Sequence, residues 1–429
     1  MPPVVLLSVD SWRHDAATER CLPESTPILN ADFARFDRCH SHGVATPLAF
    51  PGLVCGHLPV GDGYLPDDTT TMAEALSDRH ATAFTNNGHL TPRRGYDRGF
   101  EAFNDLQPPD DPGIVHRLKQ IDVLHEIPFL KRSYRAIADR YRDRSDDPGD
   151  STLPLPYNAA DAVSAFARRQ LDSDPDGFVW AHYMDPHWPY HPDTAIDTSW
   201  DGSLGTLSDL GSRFTEGDAS EMSETELDAL RDLYEANVRY ADRELADLLS
   251  WCRKQDWYDE ALIAVVGDHG ELFGENGRTF HPWDADPVDG LVRTPLFVKF
   301  PSGDHAGERF DHLVGHWDLL ATVAREASTS DSVIPDHAYP LTERGARHVL
   351  SVSNTAIRVT EADGHHVVRR DETGETVGRV SDAGRRMAAE ASFPACRNNS
   401  GEIVGVDSER RARDIEAGRE QQLRDLGYR

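Results

Sequence analysis

Two apolar runs, far apart in the chain, each end in groups that bind cations. Val4-Val5-Leu6-Leu7-Ser8-Val9 runs into Asp10, and Ala261-Leu262-Ile263-Ala264-Val265-Val266 leads through Gly267 into Asp268-His269-Gly270-Glu271. Carboxylate oxygens and an imidazole are suitable donors for one divalent cation. Short runs rich in Val, Leu and Ile read as buried parallel strands, and ligands of open α/β sheets sit outside the carboxyl ends of the strands. Asp10, Asp268 and His269 are therefore expected to meet around one ion. Taken singly, Asp10 is also readable as the cap of a strand end, and Asp268-His269 as a turn.

The elements that must position these groups alternate along the chain. Strands are expected at 3–9, 81–85, 177–183, 261–266 and 295–300, and helices at 71–76, 159–171 and 316–327. Ser223-Glu224-Thr225-Glu226 reads as a capping box. The long helix it opens carries Leu227, Leu230, Tyr234, Val238, Ala241, Leu245 and Leu248 at three- and four-residue steps. Residues 47–54 are apolar enough for a buried helix or turn behind the site. The alternation predicts an α/β fold with a doubly wound, mostly parallel sheet. Residues 1–330 are assigned to the main, catalytic domain. Within it, 105–155 reads as a helical surface excursion and 194–219 as a polar loop. Residues 331–429 are expected to form a smaller α+β subdomain, with strand-like pieces at 348–352, 356–359 and 366–369 and a charged helical segment from 382.

With the elements assigned, the motifs carry a resemblance. Val9-Asp10-Ser11-Trp12-Arg13 resembles the first metal motif of the sulfatases, a branch of the alkaline phosphatase superfamily. Gly267-Asp268-His269-Gly270-Glu271-Leu272-Phe273-Gly274-Glu275-Asn276-Gly277, followed by His281 and Leu291-Val292-Arg293-Thr294-Pro295-Leu296, resembles the second. Tyr183-Met184-Asp185-Pro186-His187-Trp188-Pro189-Tyr190 is similar to a segment that supplies a substrate-binding His. Arg98-Gly99-Phe100-Glu101 and Leu233-Tyr234 with Tyr240-Ala241-Asp242 are similar to further family landmarks. The motifs keep the family's order from residue 4 to about 325. The resemblance implies a sheet of the alkaline phosphatase/sulfatase type and one divalent ion, Mn²⁺, Mg²⁺ or Ca²⁺. Many sulfatases have a second Asp where this chain has Ser11, and the loss of that ligand favours Mn²⁺ or Mg²⁺ over a Ca²⁺ cage rich in carboxylates.

The nucleophile is where the chain departs most. Sulfatases oxidise a Cys or Ser, in a Cys/Ser-x-Pro-x-Arg frame, to formylglycine. Cys39-His40-Ser41-His42 and Cys55-Gly56-His57-Leu58 both lack that frame. Counting back from Leu53-Val54-Cys55-Gly56, which resembles the family's Leu-x-x-Gly landing, puts Thr46 at the nucleophile position and among the metal ligands. Thr46 is also readable as an ordinary turn residue before Pro47. A cation lowers the pKa of a bound hydroxyl and fixes its orientation, and superfamily branches with a Thr nucleophile generally work on phosphorus. His187 and His281 are candidates for binding non-bridging oxygens and protonating the leaving group. Asn87, at the end of the strand 81–85, is a candidate donor to an equatorial oxygen. Lys299 is readable as a buried ion pair or a substrate contact, and Arg13 as structural. The resemblance implies a metal-dependent hydrolase or transferase that cleaves a phosphate or sulfate ester of a small molecule or glycan. A true sulfatase acting without formylglycine, and a non-catalytic binding relic with an inert Thr46, stand as alternatives.

Composition bounds the setting. The five Cys are scattered without a CxxC, which reads as reduced thiols in a cytoplasmic protein. The first strand begins at Val4, which leaves no room for a signal peptide, and no run approaches the ~18 apolar residues of a membrane span. The 429 residues include 74 acidic and 44 basic side chains, a formal net charge of -30. That balance argues against nucleic-acid binding, which needs a basic footprint. Four of the basic residues are Lys and the rest Arg. A GC-rich genome explains the Lys deficit but not the charge; adaptation to molar salt explains both. Salt of ~1 M shortens the Debye length to ~3 Å and screens the self-repulsion. The protein is accordingly expected to lose thermal stability as salt is lowered. Circular-dichroism melts at roughly 0.1 M and 3 M KCl check this, and coincident melts would exclude the halophile reading.

Overall fold

The computed structural model describes residues 1–103 except 60 and 62, 157–327, and 334–391 except 346 and 371–373. The excursion expected at 105–155 and the chain beyond 391 lie outside the described residues. An eight-stranded sheet carries the fold. Its spatial order is β12 (Arg309–Phe310), β2 (Ala34–Phe36), β11 (Leu296–Lys299), β7 (Leu262–Gly267), β1 (Val4–Val9), β6 (Phe178–Tyr183), β4 (Ala81–Phe84) and β5 (Ala102–Phe103). β7, β1, β6, β4 and β5 are mutually parallel.

The strands expected at 3–9, 81–85, 177–183, 261–266 and 295–300 are all present, but β11 runs antiparallel to both of its neighbours. Between β7 and β11 the chain makes only short pieces: β8 (Leu272–Phe273), β9 (Thr279–Phe280), a four-residue helix Asp289–Val292 and β10 (Arg293–Thr294). No long helix crosses over there, so the chain returns beside β7 in the opposite sense.

All residues of β1, β6 and β7 are buried, and successive side chains point to opposite faces. Val5, Leu7 and Val9 join Val179, Ala181, Ile263 and Val265 on one face, under the helices Ala160–Ser173 and Glu224–Cys252. Val4 and Leu6 join Phe178, Trp180, Ala264 and Val266 on the other, under Thr46–Cys55 and Trp317–Glu326. The even positions of β1 continue through Ser8 to Asp10, so Asp10 is delivered to the side of the sheet that carries the helix beginning at Thr46. The long helix Glu224–Cys252 starts at the expected capping box, with Ser223 and Glu226 satisfying each other's backbone N–H groups.

The stretch 194–219 is not all loop. Leu204–Phe214 is a helix, with Ser203 Oγ accepting from Thr206 N at 3.1 Å. Its Gly, Ser and Asp content is a loop signal by propensity, yet Leu207, Leu210 and Phe214 are buried in the main core. Gly211 is a packing requirement there, since a Cβ would come within 1.9 Å of the Trp188 ring. Tertiary burial overrides the local composition.

Two small sheets complete the frame. β10, β3 (Cys39–His40) and β13 (Val314–Gly315) form one, and β8 pairs with β9. The C-terminal strands β14 (Val349–Val352), β15 (Ala356–Glu361) and β16 (Gly364–Arg369) match the three expected pieces, with β14 one residue shorter and β15 and β16 each two residues longer. β17 (Gly374–Gly378), which sequence pattern did not reveal, adds an exposed fourth strand. The helix Asp382–Glu390 packs on β15 and β16. This sheet is tied to the loop before Thr46: Gly43 bridges Val352, and Ser351 Oγ donates to Ser41 O at 2.6 Å. Val44 and Leu48, on either side of Thr46, share an apolar cluster with Val352, Ile357 and Leu291. No helix among the described residues is long and apolar enough to cross a membrane.

Gly43 is the tightest point of that loop. A Cβ at this position would lie 2.2 Å from the carbonyl carbon of Leu48, a backbone atom that cannot swing aside. Gly43→Ala is expected to cost about 1–3 kcal/mol, the usual cost of overpacking. It should appear as a lower denaturant midpoint with an unchanged slope; an unchanged midpoint would show that the loop accommodates the methyl.

Candidate functional site

The parallel register of β1 and β7 builds the centre. Val9 lies opposite Gly267, so the next residue on each strand, Asp10 and Asp268, emerges side by side at the sheet's carboxyl edge. Asp10 N donates to Tyr183 O at 2.8 Å and Asp268 N to Val9 O at 3.1 Å. The chain then turns at Ser11, whose φ of +53° is left-handed. The turn aims Ser11 N at Asp268 Oδ1 (3.0 Å), and His269 N donates to the same oxygen at 2.7 Å.

Thr46, the first residue of the helix Thr46–Cys55, places Oγ1 3.2 Å from Asp10 Oδ2 and 3.2 Å from His269 Nε2. Asn87 Nδ2 donates to Asp10 Oδ2 at 2.8 Å and stands 3.5 Å from Thr46 Oγ1. The four residues expected to hold a metal and the expected substrate-binding Asn are thus in one buried cluster.

The donor set fits a divalent cation. Ligand atoms of Asp10, Asp268 and His269 all lie within 4.8 Å of one another. His269 Nδ1 faces Gly270 O at 2.8 Å. It therefore carries the proton of a neutral ring and leaves the Nε2 lone pair pointing inward. That lone pair faces Asp10 Oδ1 at 3.5 Å and Asp268 Oδ2 at 3.6 Å. Asp268 Oδ2 is buried without a hydrogen-bond partner. Converging acceptors with an orphaned carboxylate oxygen are unfavourable in a buried site unless a cation sits among them.

Burial raises the Asp268 carboxyl well above its usual range, and the charge of Asp10 adds to the shift. Burial acts on Asp10 as well, but the imidazoles of His187, His182 and His269 outweigh it and hold that carboxyl low. The Ser11 hydroxyl is turned onto Asp10 Oδ1 at 3.0 Å.

Two further imidazoles stand over this centre. His187 lies in the turn after β6 and hydrogen-bonds the Trp188 carbonyl through Nδ1. His281 Nδ1 meets Glu271 Oε1 at 2.8 Å, and Tyr190 OH donates to Glu271 Oε2 at 3.2 Å. The His281 ring is 4.9 Å from that of His187 and 4.6 Å from that of His269, centre to centre. Burial lowers the pKa of both His187 and His281, and it raises that of Glu271. Each of the two rings is thus held through its Nδ1.

Sequence reasoning missed Glu271 as the partner of His281, although it stands inside the second motif, and it missed His182, whose Nε2 is 3.1 Å from Asp10 Oδ2. The available signal was a polar residue at an inward position of an otherwise apolar strand. Lys299 is not part of the site. Its ammonium donates to the carbonyls of Tyr258, Asp259 and Ala261, so its role is structural. Arg13 is structural as read, pairing with Asp15 and Glu275, each at 2.7 Å.

Known proteins share this architecture. The phosphonate monoester hydrolase of Agrobacterium radiobacter superposes with a TM-score of 0.60 at 15% identity, covering 99% of this chain and 95% of that one. The lipoteichoic acid synthase LtaP of Listeria monocytogenes gives 0.57 at 13% identity, covering 90% and 89%. At such identities the likeness is one of fold. Choline-sulfatase of Rhizobium meliloti (strain 1021) is 28% identical over 81 residues, which are 19% of this chain and 15% of that protein. The model of the family described as Sulfatase matches residues 2–328, from before β1 to the end of the helix Trp317–Glu326 and across every site residue named above. The chain belongs to the sulfatase family.

Proposed function

We propose that the protein is a divalent-metal-dependent hydrolase or transferase that cleaves a phosphate or sulfate ester with Thr46 as nucleophile. The observation that carries this reading is the position of Thr46 Oγ1, 3.2 Å from both Asp10 Oδ2 and His269 Nε2 at a buried helix start. When bound by Asp10, Thr46, Asp268 and His269, the cation supplies charge neutralisation for the transferring group and acidifies the hydroxyl.

Asp10 Oδ2 accepts the Thr46 proton, and Asn87 Nδ2, beside the hydroxyl, is placed for an equatorial oxygen of the ester. His187 and His281 keep Nδ1 engaged with Trp188 O and Glu271, and in this reading Nε2 is the atom that meets the ester. Burial keeps these rings neutral; an incoming ester anion favours the imidazolium and lets Nε2 deliver a proton to the leaving oxygen. Thr46 then carries the transferred group until water or an acceptor alcohol takes it. The unmodified hydroxyl favours phosphorus over sulfur, because a sulfo-Thr lacks the elimination route of an aldehyde hydrate. The substrate class is an ester of a small molecule or glycan, in keeping with relatives named for phosphonate monoesters, lipoteichoic acid and choline sulfate.

The metal reading predicts that Asp10→Ala and Asp268→Ala each abolish bound divalent metal while the protein stays folded in high salt. Elemental analysis of the purified variants is the measurement, and full occupancy in either one rejects the ligand set.

The nucleophile reading predicts that Thr46→Ala loses turnover by several orders of magnitude while retaining most metal affinity. Thr46→Ser should keep part of the activity, and phosphate esters should be cleaved faster than matched sulfate esters. Mass spectrometry of protein quenched during turnover should find the added mass on Thr46. If Thr46→Ala cleaves phosphodiesters and aryl sulfates as fast as the parent, the attacking group is water and Thr46 is not the nucleophile.

A further inference from the structure

Ser8 and His182 are polar residues on an otherwise apolar sheet face. β1 and β6 pair with Ser8 opposite His182 and Leu6 opposite Trp180. Ser8, Trp180 and His182 are all buried, and Phe50 of the helix Thr46–Cys55 covers the rings, 5.1 Å from His182 and 5.4 Å from Trp180. Burying such groups is costly unless each is hydrogen-bonded, and here the bonds form one unbroken chain. Trp180 Nε1 lies 2.9 Å from Ser8 Oγ, Ser8 Oγ 2.9 Å from His182 Nδ1, and His182 Nε2 3.1 Å from Asp10 Oδ2.

Donor chemistry fixes the direction. An indole N–H only donates, so Ser8 Oγ accepts from Trp180. His182 Nε2 faces a carboxylate oxygen and must carry the ring's proton. A neutral ring has one N–H, which leaves Nδ1 to accept from the Ser8 hydroxyl. The relay therefore runs Trp180 to Ser8 to His182 to Asp10. Asp10 Oδ2 also receives Asn87 at 2.8 Å and Thr46 at 3.2 Å. With Oδ2 held by three donors, the carboxylate cannot rotate about its Cβ–Cγ bond without breaking them together. Oδ1 is thereby kept on the side of Asp268 and His269.

We propose that His182, backed by Ser8 and Trp180, is a positioning residue that pins Asp10 Oδ2 and so presents Oδ1 to the cation. This rests on the metal reading above, but the relay itself has a signature that needs no metal. Groups that orient a metal ligand typically contribute about 10–100-fold in affinity.

The test measures Mn²⁺ binding to metal-stripped protein in high salt, by the electron paramagnetic resonance signal of free Mn²⁺, together with ¹⁵N NMR of the histidine rings. His182→Phe keeps a flat ring without a donor and should weaken Mn²⁺ binding by about 10–100-fold. His182→Gln returns an N–H near the place of Nε2 and should recover most of that loss. Ser8→Ala removes one oxygen from the relay and should weaken binding in the same direction but by less. In the metal-free parent, His182 should be the Nε2–H tautomer.

Should His182→Phe not fold, Ser8→Ala and the tautomer decide. A parent that binds Mn²⁺ while both folded variants bind it equally well overturns the role of His182 alone. An Nδ1–H tautomer in the parent overturns the relay whatever the metal does. A parent that binds no Mn²⁺ overturns the metal reading, and the role given to His182 with it.

Discussion

Everything at the site follows from one pairing, the in-register parallel alignment of β1 with β7. It sets Asp10 beside Asp268 at the buried edge of a sheet, where two carboxylates with like charge repel and both lose their water. Such an arrangement persists only if opposite charge or hydrogen bonds answer it. The surroundings can be understood as that answer: two backbone N–H groups on Asp268 Oδ1, three side-chain donors on Asp10 Oδ2, and an inward lone pair on His269 that completes a cage for a cation. A one-residue slip between the strands would send one carboxylate to the opposite face of the sheet and dissolve the arrangement.

The imidazoles divide into two kinds by what their second nitrogen touches. His187 and His281 have Nδ1 tied to a carbonyl and a carboxylate. His269 and His182 have their inward atoms committed to the carboxylate centre. The ring set thus separates two rings anchored through Nδ1 by their own neighbours from two that face the carboxylates.

Much of the fold was legible because the strong signals were local. Val4–Val9 and Leu262–Gly267 announce themselves by composition, and Ser223 with Glu226 marks a helix start to the residue. That Asp10, Asp268 and His269 come together was legible because both strands deliver them to the same edge of the sheet. What stayed hidden depends on partners remote in sequence. The helix Leu204–Phe214 forms because its apolar residues reach the core and Trp188 needs a glycine, neither of which composition reveals. The reversed direction of β11 depends on what is missing between two strands. His182 reads as one polar letter in a strand until Ser8 is known to lie opposite it, 174 residues away.

The bridge from Gly43 to Val352 bears on the order in which the site is assembled as the protein is made. The backbone that carries Thr46 is laid down early, yet Ser41 is bonded by Ser351, 310 residues later in the chain. At about 5–20 residues per second, a ribosome needs roughly 15–60 s to cover that interval. Until then, Val44 and Leu48 lack Val352 and Ile357 as packing partners. A nascent chain therefore brings Asp10 and Asp268 out of the ribosome before the loop that carries Thr46 is locked, and the buried cluster is complete only when the C-terminal sheet has emerged.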